Sequence, residues 1–199
     1  HLQYYHKSSR EIQILKDGGF NQQFSNLRKE LNKIIMGLTI VEMIDKSTMD
    51  NNPFPILYRL GWRVLKKLNE EKQNIWLVFI FFLYQLSLRL GFLPNLKKCS
   101  KCNAYLTSSW FDDYTGELVC MDCSTQSKIN LEEYSLSALQ KLESLHLDEI
   151  HTLSINIQGI ANSIQFLDTF ISFHSEGLKK VRSMEMIQQI LNNEINTKK

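Results

Sequence analysis

The sequence predicts a mainly α fold: a helical bundle interrupted by a small cysteine-bearing ribbon and preceded by a short β segment. Three observations predict it. Only eight glycines and three prolines punctuate the 199 residues, too few turn residues for a sandwich of many short strands. Apolar side chains recur at helical spacing in several long stretches. The four cysteines fall as two close pairs, which favours a metal site in a reducing compartment over a disulfide framework. With 43% hydrophobic and 22% charged residues, the chain is no disordered tail, and its length allows a substantial core.

Residues 1–8 and 11–16 alternate apolar with polar side chains, through Leu2, Tyr4, Ile12 and Ile14, as half-buried strands do. Two strands cannot stand alone, so they either finish a sheet whose other strands precede His1 or lean on the helices. Gly18-Gly19 ends the alternation. Phe20, Phe24, Leu27, Leu31, Ile34, Ile35, Leu38 and Val41 then predict one amphipathic helix over 20–46. Residues 50–55 are a loop by composition. A second helix starts at Ile56, with Leu57, Leu60, Val64, Leu65 and Leu68 opposite Arg59, Arg63, Lys66 and Lys67. The third covers 71–90. Its run from Ile75 to Tyr84 is apolar all round, which asks for helices on every side and falls short of the ~20 residues that cross a bilayer. Gly91 and Pro94 stop it. Further on, Ser135 is read as the N-cap of a helix reaching Leu145, another helix spans 158–174, and Ser183 is read as the N-cap of a last one carrying Met184, Ile187 and Leu191.

Cys99-Ser-Lys-Cys102 and Cys120-Met-Asp-Cys123 have the spacing C-x2-C-x17-C-x2-C of a four-cysteine zinc ribbon. Each pair sets two thiolates on one tight turn, and two facing turns complete a tetrahedron around a d10 ion. Four sulfur ligands leave no open position, so one structural Zn2+ is expected, not a catalytic one. Between the pairs, Trp110-Phe111 and Leu118-Val119 flank residues 112–116 as two strands and a turn would. Asp112-Asp113 is read as a solvated acidic pair in that turn. The segment is too small for a core of its own, so the metal should supply much of its folding free energy. A redox dithiol would account for either pair alone, but not for two at ribbon spacing.

Charge separates along the chain. Residues 1–58, 59–101, 102–150 and 151–199 carry +1, +7, −7 and +1. Phosphate binding needs a local basic surface, not a basic chain. Arg59, Arg63, Lys66, Lys67, Lys72, Arg89, Lys97, Lys98 and Lys101 could supply one; the plainer alternative is two solvated helix faces. His1, His6, His146, His151 and His174 are scattered, and no P-loop, dinucleotide-binding glycine pattern or nucleophile elbow is present. No enzyme is therefore expected.

The order of features from Phe82 to Cys123, an aromatic and leucine-rich helix, Leu90-Gly91-Phe92-Leu93-Pro94, the first CxxC, a short aromatic hairpin and the second CxxC, resembles the RecO family of bacterial DNA repair and recombination mediators. Upstream, residues 4–15 resemble the closing strands of that family's OB-fold, and residues 20–45, with Glu42 near the end, its first helix. Downstream, residues 173–191, with Arg182-Ser183 opening the last helix, resemble its closing segment. The chain departs from the family at Asn103, where members often have glycine, and at Thr115-Gly116-Glu117 in place of Gly-Gly. Asparagine also tolerates the left-handed conformation.

The resemblance implies a non-enzymatic, cytoplasmic, nucleoid-associated DNA-binding mediator of DNA-damage repair and recombination. It would bind single- and double-stranded DNA, contact the acidic tail of single-stranded DNA-binding protein, associate with RecR, help RecA onto DNA and use no membrane. The expected fold is mainly α: a helical bundle with an inserted four-cysteine zinc ribbon and a short N-terminal β remnant of an OB-fold, most of which is expected before His1. The expected divisions are 1–19 for the closing strands, 20–98 and 131–199 for the helical domain, and 99–130 for the ribbon. Metal ligands are Cys99, Cys102, Cys120 and Cys123; DNA contacts are assigned to Lys97, Lys98 and Lys101 first, then Arg59, Arg63, Lys66, Lys67 and Arg89. An acidic-tail pocket would need a hydrophobic floor and basic rim around the second and third helices, although the third is apolar at Ile80 and Phe81. Alternatives of other classes are a protein-docking scaffold whose DNA contacts lie in the missing N-terminal domain, and a zinc ribbon of transcription machinery.

Overall fold

Strands β1 (Leu2–Tyr5) and β2 (Ile14–Gly18) pair antiparallel, with Leu2 opposite Gly18 and Tyr5 opposite Ile14 and an irregularity between Gln3 and Tyr4. This is a computed structural model that describes residues 1–48, 54–124 and 129–197; the loop expected at 50–55 lies largely outside the described residues. The Gln13 amide closes the hairpin, accepting from Lys7 N–H (2.8 Å) and donating to the carbonyls of Lys7 (3.1 Å) and Arg10 (2.7 Å). Every residue of both strands is exposed, so the hairpin does not lean on the helices.

Helix α1 runs over Leu31–Lys46, eleven residues later than the expected start at 20. The reason is tertiary. Asn69 Oδ1 accepts from the N–H groups of both Asn26 and Leu27 at 3.0 Å, Phe24 takes a φ of 46° and sets its ring edge-on to Trp62 at 5.3 Å. These contacts hold the segment as an irregular strap, with one 3-10 turn over Leu27–Lys29. Helix α2 (Pro55–Glu70) begins with proline at its first position, where the missing N–H costs nothing. Helix α3 (Ile75–Arg89) starts four residues after the expected 71, because Glu71 Oε1 accepts from the N–H groups of Lys72, Gln73 and Asn74 and turns the chain first.

Helix α3 is buried from Trp76 through Tyr84, enclosed by its packing on α2, α1 and α5 (Ile157–His174). No helix among the described residues is long and apolar enough to cross a membrane. Gly91 ends α3 at φ 91°, and Phe92 N–H donates back to the Ser87 carbonyl at 2.9 Å, closing a left-handed helix stop. The Phe92 ring then stacks on His174 at 5.5 Å, a packing role for that histidine. Helix α4 (Glu133–Leu142) starts two residues before Ser135, which is buried inside its first turn and is not the N-cap. Asn156 caps α5, its side chain accepting from Gly159 N–H at 2.8 Å.

The last helix, α6 (Arg182–Thr197), corrects a second cap. Ser183 lies inside it and donates. Glu42 of α1 accepts from Arg182 N–H (2.9 Å), Ser183 N–H (3.0 Å) and Ser183 Oγ (2.6 Å). A carboxylate from another helix thus fills the role that a local hydroxyl was expected to fill, satisfying orphan donors at the positive end of the helix dipole.

The central insert is a three-stranded sheet, β3 (Ser109–Asp112), β4 (Glu117–Val119) and β5 (Asn130–Leu131), in the order β4-β3-β5. Phe111, Leu118, Val119 and Leu131 are buried, and Phe111 meets Phe166 and Phe173 of α5 edge-on at 6.2 and 6.1 Å. The ribbon therefore borrows its core from α5, and metal binding is not its one source of folding free energy. Gly116 in the β3-β4 turn has φ 71°, and a β-carbon there would stand 2.3 Å from Phe173 Cδ1. Gly116→Ala is expected to cost about 1–2 kcal/mol through strain and displacement of that ring, read as a lowered denaturant midpoint; an unchanged midpoint would rule out this packing.

Candidate metal centre and basic cavity

Each cysteine pair sits on a hydrogen-bonded turn. In the first, Cys99 N–H donates to Ala104 O, Asn103 N–H to Cys99 O and Leu106 N–H to Lys97 O, all at 2.9 Å. Asn103 takes φ 61°, the left-handed conformation that glycine would otherwise supply. Ser100 N–H donates to Leu118 O at 3.0 Å and ties this turn to β4. In the second, a 3-10 turn over Met121–Cys123 closes with Cys123 N–H on Cys120 O at 3.2 Å.

The four sulfurs lie within 4.8 Å of one another, none in a disulfide, with Cys102 Sγ and Cys120 Sγ 3.7 Å apart. A tetrahedral ion with metal–sulfur bonds of ~2.3 Å spaces its ligands by about 3.8 Å, so the donor set fits a metal ion. Burial pushes the Cys99 thiol up, but N–H groups of Cys102, Cys120 and Lys101 outweigh it and hold the thiol near 6. Hydrogen bonds to Cys120 and Cys102 push Cys123 up to about 12. Cys102 is raised too, by Cys99 and Cys120 against the opposing N–H of Ala104. Crowded sulfurs shed all their protons together only when a cation balances them.

Of the acidic pair, Asp113 is exposed as expected and Asp112 is not. The Asp112 side chain is 3% exposed and pairs with Lys101 Nζ at 2.7 Å, and this ion pair lowers the Asp112 carboxyl and raises the Lys101 ammonium. Lys97 pairs with Glu143. Lys98 has no carboxylate partner among the described residues; its ammonium lies 5.3 Å from the centre of the Tyr105 ring.

The other basic residues collect elsewhere. A cavity of about 150 Å³ has Ile56, Leu60, Val64, Phe81 and Leu147 as its apolar lining, with Arg59, Arg63 and Arg89 beside them. A neighbouring cleft shares Arg63 and Leu147 and adds Lys66 and Lys67, with the carboxylates of Glu70 and Asp148 in the same lining. Burial first, and Arg63 second, push the Arg89 guanidinium down from its ordinary value, as cations gathered without a counter-ion do. Arg89 Nη1 also donates to Gln85 O at 3.0 Å, which fixes its stem. Lys67 is the exception, with Glu71 Oε2 at 3.7 Å. The eight basic residues assigned to DNA contacts thus form two groups, three on the first cysteine turn and five around the cavity and its neighbouring cleft. Phe81 and Leu147 went unassigned in the sequence, because an apolar residue facing a cavity and one facing the core carry the same periodicity.

Residues 28–184 match the family model described as recombination protein O, C terminal. The chain is 24% identical over 170 residues to the DNA repair protein RecO of Syntrophomonas wolfei, covering 84% of this chain and 68% of that protein. It is 24% identical over 191 residues to the DNA repair protein RecO of Listeria monocytogenes, covering 92% and 74%. With that of Salinibacter ruber it shares 34% identity over 95 residues, 48% of this chain and 36% of the relative. A helical body, a four-sulfur ribbon docked on it and a match over most of the length agree: the chain belongs to the RecO family of DNA repair proteins.

Proposed function

We propose that the chain is the helical and zinc-bearing part of a recombination mediator. It binds single- and double-stranded DNA, anneals complementary strands and, with RecR, helps load RecA onto DNA covered by single-stranded DNA-binding protein. Annealing asks a protein to neutralise phosphates on two strands and hold them together, with no bond made or broken. Zn2+ at Cys99, Cys102, Cys120 and Cys123 serves structure: four thiolates fill its coordination shell and lock the two turns.

The observation that carries this reading is the arginine-rimmed cavity between α2 and α3. An acidic peptide ending in an apolar residue fits it, carboxylates on Arg59, Arg63 and Arg89 and the apolar end on Phe81 and Leu147. We assign the acidic tail of single-stranded DNA-binding protein to it. Arg63→Glu is expected to weaken binding of a labelled tail peptide by more than about 30-fold, the loss typical of breaking a desolvated charge pair, measured by fluorescence anisotropy. Unchanged affinity in Arg63→Glu and in Arg89→Ala would remove the cavity from the reading.

The ion pairs of Lys97 with Glu143 and Lys101 with Asp112 favour a second reading. In it the helical part is a protein-docking scaffold, and DNA contacts lie in a further domain. Charge swaps at Lys97, Lys98 and Lys101 separate the two: under the first reading DNA binding weakens and its salt slope flattens, and under the second neither changes.

A further inference from the structure

The first cysteine turn presents to solvent an exposed aromatic ring with a cation over one of its faces. Lys98 and Tyr105 face one another across an antiparallel bridge, held between the Lys97–Leu106 and Cys99–Ala104 backbone hydrogen bonds. Cys99 and Cys102, two of the four clustered cysteines, close the same turn, so the pair stands on a backbone fixed by its own hydrogen bonds. Tyr105 is 79% exposed and belongs to no core cluster. Its polar partner is the Lys98 ammonium, 5.3 Å from the ring centre.

We propose that Tyr105 and Lys98 form a stacking site for one unpaired nucleobase, which gives the metal-bearing turn a preference for single-stranded over double-stranded nucleic acid. This deepens the mediator reading above and rests on it. A tyrosine on a rigid turn offers a π-face at little entropic cost, and any base can stack there without sequence preference. In a duplex the base faces are already covered by their neighbours, and the ring has nothing to stack on. The cation works beside it. Lys97 and Lys101 each face a carboxylate, whereas Lys98 has none among the described residues and is placed to meet the phosphate that flanks the stacked base. The bridge fixes which base and which phosphate can be engaged together, and a strand with its bases splayed out can satisfy both.

The test uses the full metal-loaded chain, with a labelled oligothymidine and a labelled blunt-ended duplex of two strands titrated at one low salt concentration by fluorescence anisotropy. Tyr105→Ala is expected to lower single-strand affinity by about 5- to 150-fold, the span of one lost base stack, and to move duplex affinity less than twofold. Tyr105→Phe, which keeps the π-face, is expected to restore single-strand binding. Wild-type binding that Tyr105→Ala leaves intact would overturn the stacking site while leaving the mediator reading in place. Equal loss on single strand and duplex in both variants would overturn it as well, pointing to a distorted turn. No binding of either oligonucleotide by the wild-type chain would overturn the stacking site and the DNA-binding part of the mediator reading together.

Discussion

Cys120→Ser is expected to lose the bound ion and to release the two cysteine turns while the sheet docked on α5 and the helical body stay folded. Wild-type protein should hold one Zn2+ per chain, and the variant close to none, in a chromogenic chelator assay. The effect is large because four-thiolate sites contribute on the order of 10 kcal/mol to the folding of small metal domains, more than any single side chain does. Without the ion, crowded sulfurs keep the protons that Cys102 and Cys123 are pushed up to hold, and nothing draws the two turns together. The loss should be local. Phe111, Leu118 and Val119 are buried and Phe111 packs on α5, so stripping the ion should expose the two cysteine turns to protease before the helices melt. Retention of one ion per chain in Cys120→Ser, with unaltered protease resistance, would remove the metal centre.

The second large effect belongs to Glu42, which carries the junction of α1 and α6. Burial raises its carboxyl, but hydrogen bonds from Ser183 Oγ, Ser183 N–H, Arg182 N–H and the Lys46 ammonium outweigh it and hold the group down at about 2, against an ordinary 4.5. A carboxyl depressed in the folded state stabilises the fold fully above its unfolded value, and that stability drains away as pH falls from about 5 towards 2. The carboxylate is partly exposed, 22%, so a contribution of about 2–3 kcal/mol is expected at neutral pH, somewhat below what the full depression implies. Glu42→Gln should lower the melting midpoint at pH 7 by roughly 5–10 °C and should flatten the acid limb of the stability curve. An acid limb as steep in Glu42→Gln as in the parent would assign the depression elsewhere.

How much of this was legible beforehand varies with the range of the interaction. Both CxxC turns could be read because the chemistry is local: two thiolates with two residues between them need only a tight turn, and the 17-residue spacer is long enough for a hairpin to bring the turns together. Asn103 in place of glycine was readable on the same ground, since its left-handed φ is a property of one residue. The apolar core of α3 was readable because a helix without a polar face can lie nowhere but inside. Helix starts fared worse. The periodicity from Phe20 onward is continuous with α1, yet Asn69, more than forty positions away, captures the N–H groups that would have opened the helix.

By itself, then, the sequence determined a mainly α chain, four sulfurs at ribbon spacing, a basic stretch ahead of an acidic one and the family they resemble. All of these rest on residue type and short spacing. Only the tertiary structure decided that Glu42 caps a helix some 140 positions later, that Phe111 seats the ribbon on α5, and that the basic stretch divides into an arginine-rimmed cavity and a lysine-bearing turn. It also decided that Asp112 and Glu143, from the acidic stretch, fold back onto Lys101 and Lys97. The physical reason is that a charge or a cap acts through distance in space, and spacing along the chain fixes that distance only within a few turns of helix or one hairpin.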